Sequence, residues 1–298
     1  MSTLSLAWVA CRDVHFLAVM QLFGISVFTR LLAPPPFGAV LLHRLRYWQG
    51  GAGGLTLITA CLMVAVQGGL MGEGWQDVTA FPIWVAVLDT AFGQVWRWHL
   101  LAAALLLLSL LLPAERSRDM LILLAATALL AGLGSVGHAA MREGVAGVAQ
   151  RANHTLHLLA AAYWSGSLLP LLFCLHFSRC GPWRREAVRA LLRFSTFGHL
   201  AVALVIATGV INTWLIVQGW PLDRRSPYQM LLLVKAALVA VMAGLALYNR
   251  YRIVPRFTTA PAQARRGVVR VTALLLGLSL LVILLVSVFA TLEPVAVN

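Results

Sequence analysis

Residues Val271–Ala290 read VTALLLGLSLLVILLVSVFA, twenty positions without a charged side chain. A helix on the surface of a water-soluble domain keeps one polar stripe, and this stretch has none. Crossing the hydrocarbon of a bilayer takes about 20 apolar residues, so the stretch predicts a transmembrane helix. Working outward from it, similar runs recur at Leu100–Leu112 and Leu121–Leu133. Over all 298 residues, 60% are apolar and 11% charged, where a soluble domain carries roughly 25% charge. The pattern predicts spans over 9–30, 53–72, 94–112, 119–137, 154–176, 197–219, 228–249 and 270–290. Between them lie turn-forming or charged segments such as Ala33–Phe37, with three prolines, and Pro113–Asp119. A barrel would show short alternating strands instead. The expected fold is all-α: a polytopic membrane protein, a bundle of eight transmembrane helices forming one integral domain over 1–298.

The formal charge of +13 does not point to nucleic acid, because the arginines cluster between apolar spans instead of lining a groove. Sixteen of them follow spans 1, 3, 5 and 7, and six lie on the opposite side. Positive charge stays inside, so both termini are expected on the outer, periplasmic side of a bacterial inner (cytoplasmic) membrane. The partner this implies is the lipid bilayer. The four cysteines, Cys11, Cys61, Cys174 and Cys180, include no CxxC pair and suggest no disulfide framework. The first span lacks a basic leader and carries Arg12, Asp13 and His15, so it is expected to be retained as a helix. The outward loop Glu73–Arg97 is rich in tryptophan, and Ile83–Gln94 is expected to form a short interfacial helix, an anchor or a lid.

Ionisable residues inside a membrane are expensive and mark function. Five of the eight histidines fall near the outward ends of predicted spans: His15, His99, His138, His154 and His157. His154 and His157 are three residues apart and share a helical face. A short hairpin joins them to His138, where Gly132, Gly134 and Gly137 would admit a neighbouring helix. Cys11 forms an i, i+4 pair with His15, and Met71 and Met141 are further donors on the same side. Imidazole suits copper and zinc, and sulfur ligands shift preference toward Cu(I); the cluster reads as a copper site, for Cu(I) or Cu(II). Each histidine alone could equally cap a helix end.

A transport path would use Lys235 and Asn212 inside spans 7 and 6, with Cys174, His176 and Cys180 as an inward exit. Lys235 could pair with Asp89 or Asp223, and Asn212 could simply join helices. No Walker loop, nucleotide fingerprint, HExxH or GxSxG occurs, so the chain is expected not to be an enzyme.

Several stretches resemble the CopD/PcoD family of bacterial copper-resistance membrane proteins. Thr90–Ala91–Phe92–Gly93–Gln94–Val95–Trp96 resembles its T-x-F-G-x-x-W segment, and His157 through Trp164–Ser165–Gly166–Ser167–Leu168 its H-x6-W-x-G-G-L motif. Arg193–Phe194–Ser195, Thr208–Gly209–Val210–Ile211–Asn212, and Tyr228 through Lys235 to Asn249–Arg250 complete the likeness, which covers about 85–255. Ser167 replaces the second glycine of the W-x-G-G motif, and His99 stands where many relatives carry arginine. The resemblance implies copper homeostasis or resistance, copper passing from the periplasm across the inner membrane, and a periplasmic copper-binding partner of the CopC type. Two alternatives stay open: haem held by histidines from different helices, and a copper sensor or scaffold without transport.

Overall fold

A computed structural model describes residues 2–113, 116–179, 181–217 and 226–294. Among these residues every regular element is helical. Helix α1 (Thr3–Val27) is capped by Ser2, whose hydroxyl accepts from the Ser5 amide at 3.1 Å. It runs on through a wide turn, Phe28–Leu32, and stops where Ala33 turns extended before Pro34. Helix α2 (Pro35–Met71) begins on prolines, whose missing N–H groups need no partner in a first turn. Next come α3 (Phe81–Leu88), α4 (Ala91–Leu111), α5 (Arg116–Leu133), α6 (Gly144–Gly166) and α7 (Leu168–Phe177). Helices α8 (Arg184–Val217), α9 (Pro227–Tyr248, extended by turns to Phe257) and α10 (Pro261–Phe289) complete the chain.

Among the described residues, seven helical stretches are long and apolar enough to cross a membrane: Thr3–Leu32, Pro35–Met71, Ala91–Leu111, Gly144–Phe177, Arg184–Val217, Pro227–Phe257 and Pro261–Phe289. The eighth expected span is α5, which has eighteen residues and carries Arg116, Arg118 and Asp119 at its start. It packs against α1, α4 and α6. Most helices outrun the predicted spans, α1, α2, α6, α8 and α10 at their starts and α9 beyond its end, because apolar patterning marks the hydrocarbon slab and not the helix that crosses it. At about 1.5 Å per residue, the 37 residues of α2 are far longer than the slab. His43, Arg44 and Arg46, expected in a first inward loop, therefore lie on α2. The expected interfacial helix Ile83–Gln94 is likewise divided, since α3 ends at Leu88 and Thr90 caps α4.

Two thirds of the apolar window of α1 (67%) is buried, against 6% for α9, so α1 is central and α9 lies at the rim. Helix α1 packs on α2, α5, α6 and α10. It meets α6 through glycine: a Cβ on Gly24 or Gly166 would land on the other helix's main chain. Ser167 adds a hydroxyl donated to the Gly24 carbonyl at 3.3 Å, so serine in the second glycine position keeps the close crossing. Gly132 and Gly134 similarly let α5 approach, one against His99 and the other against Thr155. Gly137 serves differently, taking a positive φ of 71° in a turn with open space beside it.

Candidate functional site

Four of the five histidines expected on the outward side come together as two pairs. The first joins α1 to α4. His15 and His99 are 0% and 2% exposed, and their Nε2 atoms meet at 2.8 Å. The segment before α4 positions His99. The Thr90 hydroxyl caps the helix by accepting from the Gly93 amide at 3.1 Å, and Gly93 leaves room for the main chain of Val87 and Leu88. Trp96, wholly buried, donates its indole N–H to the Ala60 carbonyl at 2.9 Å. Its ring stacks on His99 with centroids 4.4 Å apart and planes at 12°.

Proton accounting sets the tautomers of this pair. The Thr59 hydroxyl donates to the Leu55 carbonyl at 2.6 Å, so it accepts from His15 Nδ1–H at 2.8 Å. His15 Nε2 is then the lone-pair nitrogen, and His99 Nε2–H donates to it. That leaves a lone pair on His99 Nδ1, a buried atom without a hydrogen-bond partner, facing Gly132. A groove of about 450 Å³ between α4 and α5 reaches the same histidine and is lined also by Gln94, Trp98, Gly132 and Ser135.

The second pair lies on α6. The His154 and His157 rings are nearly parallel, with centroids 6.3 Å apart, and α8 holds both. Thr208 donates its hydroxyl proton to the Leu204 carbonyl and accepts from His157 Nδ1 at 2.9 Å. Gly209 lies beside the His157 ring. Asn212 donates its amide to His154 Nδ1 at 3.2 Å and accepts from Asn153 at 2.9 Å. Asn212 is thus a helix-joining group that also orients a histidine.

The electrostatic settings differ. Arg12 and Lys235 are near enough to act on His154, and Lys235 on His157, whereas neither acts on His15 or His99, where the one pairwise effect is that of His15 on His99.

His138 stands apart, in the turn Gly137–Ala140. It packs edge-on against Tyr228 at 5.5 Å, and its Nε2 lacks a partner. Burial, and secondarily Arg12, hold its imidazole below the ordinary histidine range. Among the described residues no three His, Cys, Asp or Glu side chains stand close enough to hold one ion.

Of the additional donors, Cys11 is half-buried, while Met71 and Met141 are 56% exposed. Lys235 lies over the Phe289 ring at 5.8 Å, and the Asp89 considered for it pairs with Arg97 instead. Asp223 lies outside the described residues, as does Cys180. The other two exit candidates diverge: Cys174 is buried with its thiol on the Ala187 carbonyl at 3.3 Å, and His176 is exposed. Sequence reading missed Thr59, Trp96 and Thr208 as the residues that fix the histidines. The i, i+3 step from Trp96 to His99 was the available signal for one of them.

Residues 1–148 match the family described as "Copper resistance protein D-like, N-terminal domain". Residues 188–289 match "Copper resistance protein D". The chain is 41% identical to "Inner membrane protein YebZ" of Escherichia coli (strain K12), over 98% of this chain and 99% of the relative. It is 28% identical to "Copper resistance protein D" of Pseudomonas syringae pv. tomato, over 96% of each. It is 26% identical to "Copper transport protein CutJ" of Bacillus subtilis (strain 168), over 74% of this chain and 40% of that one. No solved structure matches the chain.

Proposed function

This chain belongs to the copper resistance protein D family, and on that premise we propose that it moves copper across the bacterial inner membrane, receiving the ion at the His15–His99 pair. The observation that carries the reading is the 2.8 Å meeting of two imidazole Nε2 atoms from different helices in a buried interior. Imidazole suits copper, and the Thr59 hydroxyl orients His15 as a metal-binding histidine is usually oriented, through its other ring nitrogen. With each metal–nitrogen bond about 2.0 Å, an ion between the rings requires them to part by about 1 Å. The His99 Nε2 proton then passes to the unpartnered Nδ1, so both ligands are neutral imidazoles and no proton leaves the site. A haem would need the same opening and, in addition, clearance of Trp96 and the other flanking side chains to admit a disc. That favours the bare ion.

The His154–His157 pair is the weaker copper site, since Arg12 and Lys235 place positive charge beside it. His138 and Cys11, with Met71 and Met141 at the outward rim, complete the receiving side in this reading. The arginine distribution supports both termini facing outward, and a periplasmic copper-binding protein of the CopC type is the partner that would deliver the ion. The chain acts as a carrier and not as an enzyme.

Copper binding to the purified protein and copper uptake into vesicles test the proposal together. Replacing His15 and His99 with Gln should lower both by at least about 100-fold, since loss of a supporting group alone typically lowers metal affinity 10–100-fold. Loss of binding with uptake unchanged would make the chain a sensor or scaffold. If neither changes in the folded variant, the pair is structural.

A further inference from the structure

Helices α1 and α2 run antiparallel, and two contacts fix how they face each other. Near the outward end, a Cβ on Gly69 would stand 3.0 Å from the Leu4 side chain. Deeper in, His15 meets Thr59 at 2.8 Å. Eleven residues of α1 and ten of α2 separate these contacts, so the two helices keep one register between them. One turn outward of the inner contact, position 11 on α1 therefore stands level with position 63 on α2. The residues there are Cys11 and Met63. Each lies an i, i+4 step from a member of the histidine layer, Cys11 from His15 and Met63 from Thr59, so both continue the helix faces that build it. Trp96 closes this level from α4: it donates to the carbonyl of Ala60, one turn short of Met63, and its ring centroid is 5.8 Å from that of His15. Met63 is buried, and Cys11 is half-buried with a free thiol. Cysteine and methionine often only fill space between helices. This couple is set apart by its place, since both side chains lie between the outward surface and the imidazole pair, on helices that hold that pair. The other described cysteines lack it: Cys61 is exposed, and Cys174 gives its thiol to the Ala187 carbonyl.

We propose that Cys11 and Met63 form a sulfur station for Cu(I), about 6 Å outward of the His15–His99 pair, where the ion stops before it passes to the imidazoles. This rests on the copper-carrying reading above and assigns the oxidation state, because thiolate and thioether ligands select Cu(I). The ion displaces the Cys11 thiol proton, which leaves toward the outward side, and Met63 binds as a neutral thioether. One positive charge enters and one leaves, so the occupied station carries no more charge than the empty one. A low-dielectric interior favours that balance, since an uncompensated charge there is costly. When the ion moves on to the imidazoles, Cys11 takes a proton back.

The test loads purified protein with two equivalents of Cu(I) and reads the ligands by X-ray absorption. It compares the unaltered chain with Met63→Leu, Cys11→Ala/Met63→Leu and, as control, the exposed Met71→Leu. Copper flux is followed in vesicles of bacterial phospholipid carrying a copper-sensitive dye inside, and thermal midpoints check folding. The unaltered protein should show sulfur together with imidazole nitrogen. The double variant should lose the sulfur, keep the nitrogen and carry Cu(I) at least 10-fold more slowly. Met63→Leu conserves volume, so it should weaken the sulfur signal and slow flux 2- to 5-fold even where the double variant does not fold. Met71→Leu should change neither. Sulfur absent from the unaltered protein, or undiminished in the variants, would overturn the station and leave the histidine reading standing. Full flux in the folded double variant would make the sulfur a side site and overturn the passage to the imidazoles. Loss of nitrogen along with sulfur in that variant would merge the two layers into one site and overturn the station too. Nitrogen absent from the unaltered protein would bring down the copper reading at the histidines, and the passage from sulfur to imidazole with it.

Discussion

The two histidine pairs are built from the same side chains in opposite ways. His15 and His99 come from different helices and meet directly, held by Thr59 and stacked under Trp96. His154 and His157 share one helix and do not bond to each other; α8 takes a ring nitrogen from each. Neither arginine nor lysine acts on the first pair, and the second faces Arg12 and Lys235. Imidazole count therefore does not rank the sites. What ranks them is where the lone pairs point and which charges surround them. The His15–His99 pair sets two Nε2 atoms from different helices face to face, where one ion could be taken between them. The His154–His157 pair spends its Nδ1 atoms on joining α6 to α8.

The contrast can be broken first at Thr59. Thr59→Val keeps the shape and removes the group that orients His15, so copper affinity should fall about 10- to 100-fold. The matching change on the other side, Thr208→Val, should leave copper affinity within a few-fold. Competition against a copper chelator of known affinity reads both. Equal losses would mean that the two pairs act as one site.

The next largest effect is on stability. Gly24 shares α1 with His15, and Gly166 shares α6 with His154 and His157, so their crossing fixes how the pairs sit relative to each other. Gly166→Ala drives a methyl into the main chain of α1 and should destabilise by about 1–3 kcal/mol, seen as a lower thermal midpoint. Asn212→Leu should cost about 0.6–1.7 kcal/mol, the range for hydrogen bonds between membrane helices, without altering copper affinity.

The smallest effect concerns pH. His138 is held below its ordinary pKa in the folded protein by burial, and then by Arg12, despite opposing bonds to the Ala290 and Leu292 main chain. The unfolded chain then takes up the proton more readily. Its contribution to stability is complete above the unfolded value of about 6.5 and is lost as pH falls below it toward the folded value. Thermal midpoints from pH 7 to pH 5 should fall less in His138→Gln than in the unaltered protein.

The membrane class was legible in Val271–Ala290 alone, because a run without a polar stripe has few alternatives. The helix ends were less so. His43, Arg44 and Arg46 look like loop residues to a hydropathy pattern, yet the chain at α2 stays helical well beyond the hydrocarbon. The pattern put the histidines at span ends, whereas His15, His99 and His157 lie buried well inside α1, α4 and α6, and their division into two pairs could not be read. Depth along the membrane comes from counting residues, whereas pairing depends on the rotation of each helix, and glycine crossings such as Gly24 against Gly166 set that. The i, i+3 spacing of His154 and His157 drew attention to a pair that α8 occupies. The partner of His99 is 84 residues away on another helix, beyond the reach of spacing arguments.

The most direct test of the central claim is X-ray absorption on protein loaded with one equivalent of Cu(I), taken on the unaltered chain and on His15→Gln/His99→Gln. The account predicts imidazole-nitrogen scattering in the unaltered protein and its loss in the double variant, with His154→Gln/His157→Gln retaining it. An imidazole signal that survives in His15→Gln/His99→Gln and disappears in His154→Gln/His157→Gln would contradict it.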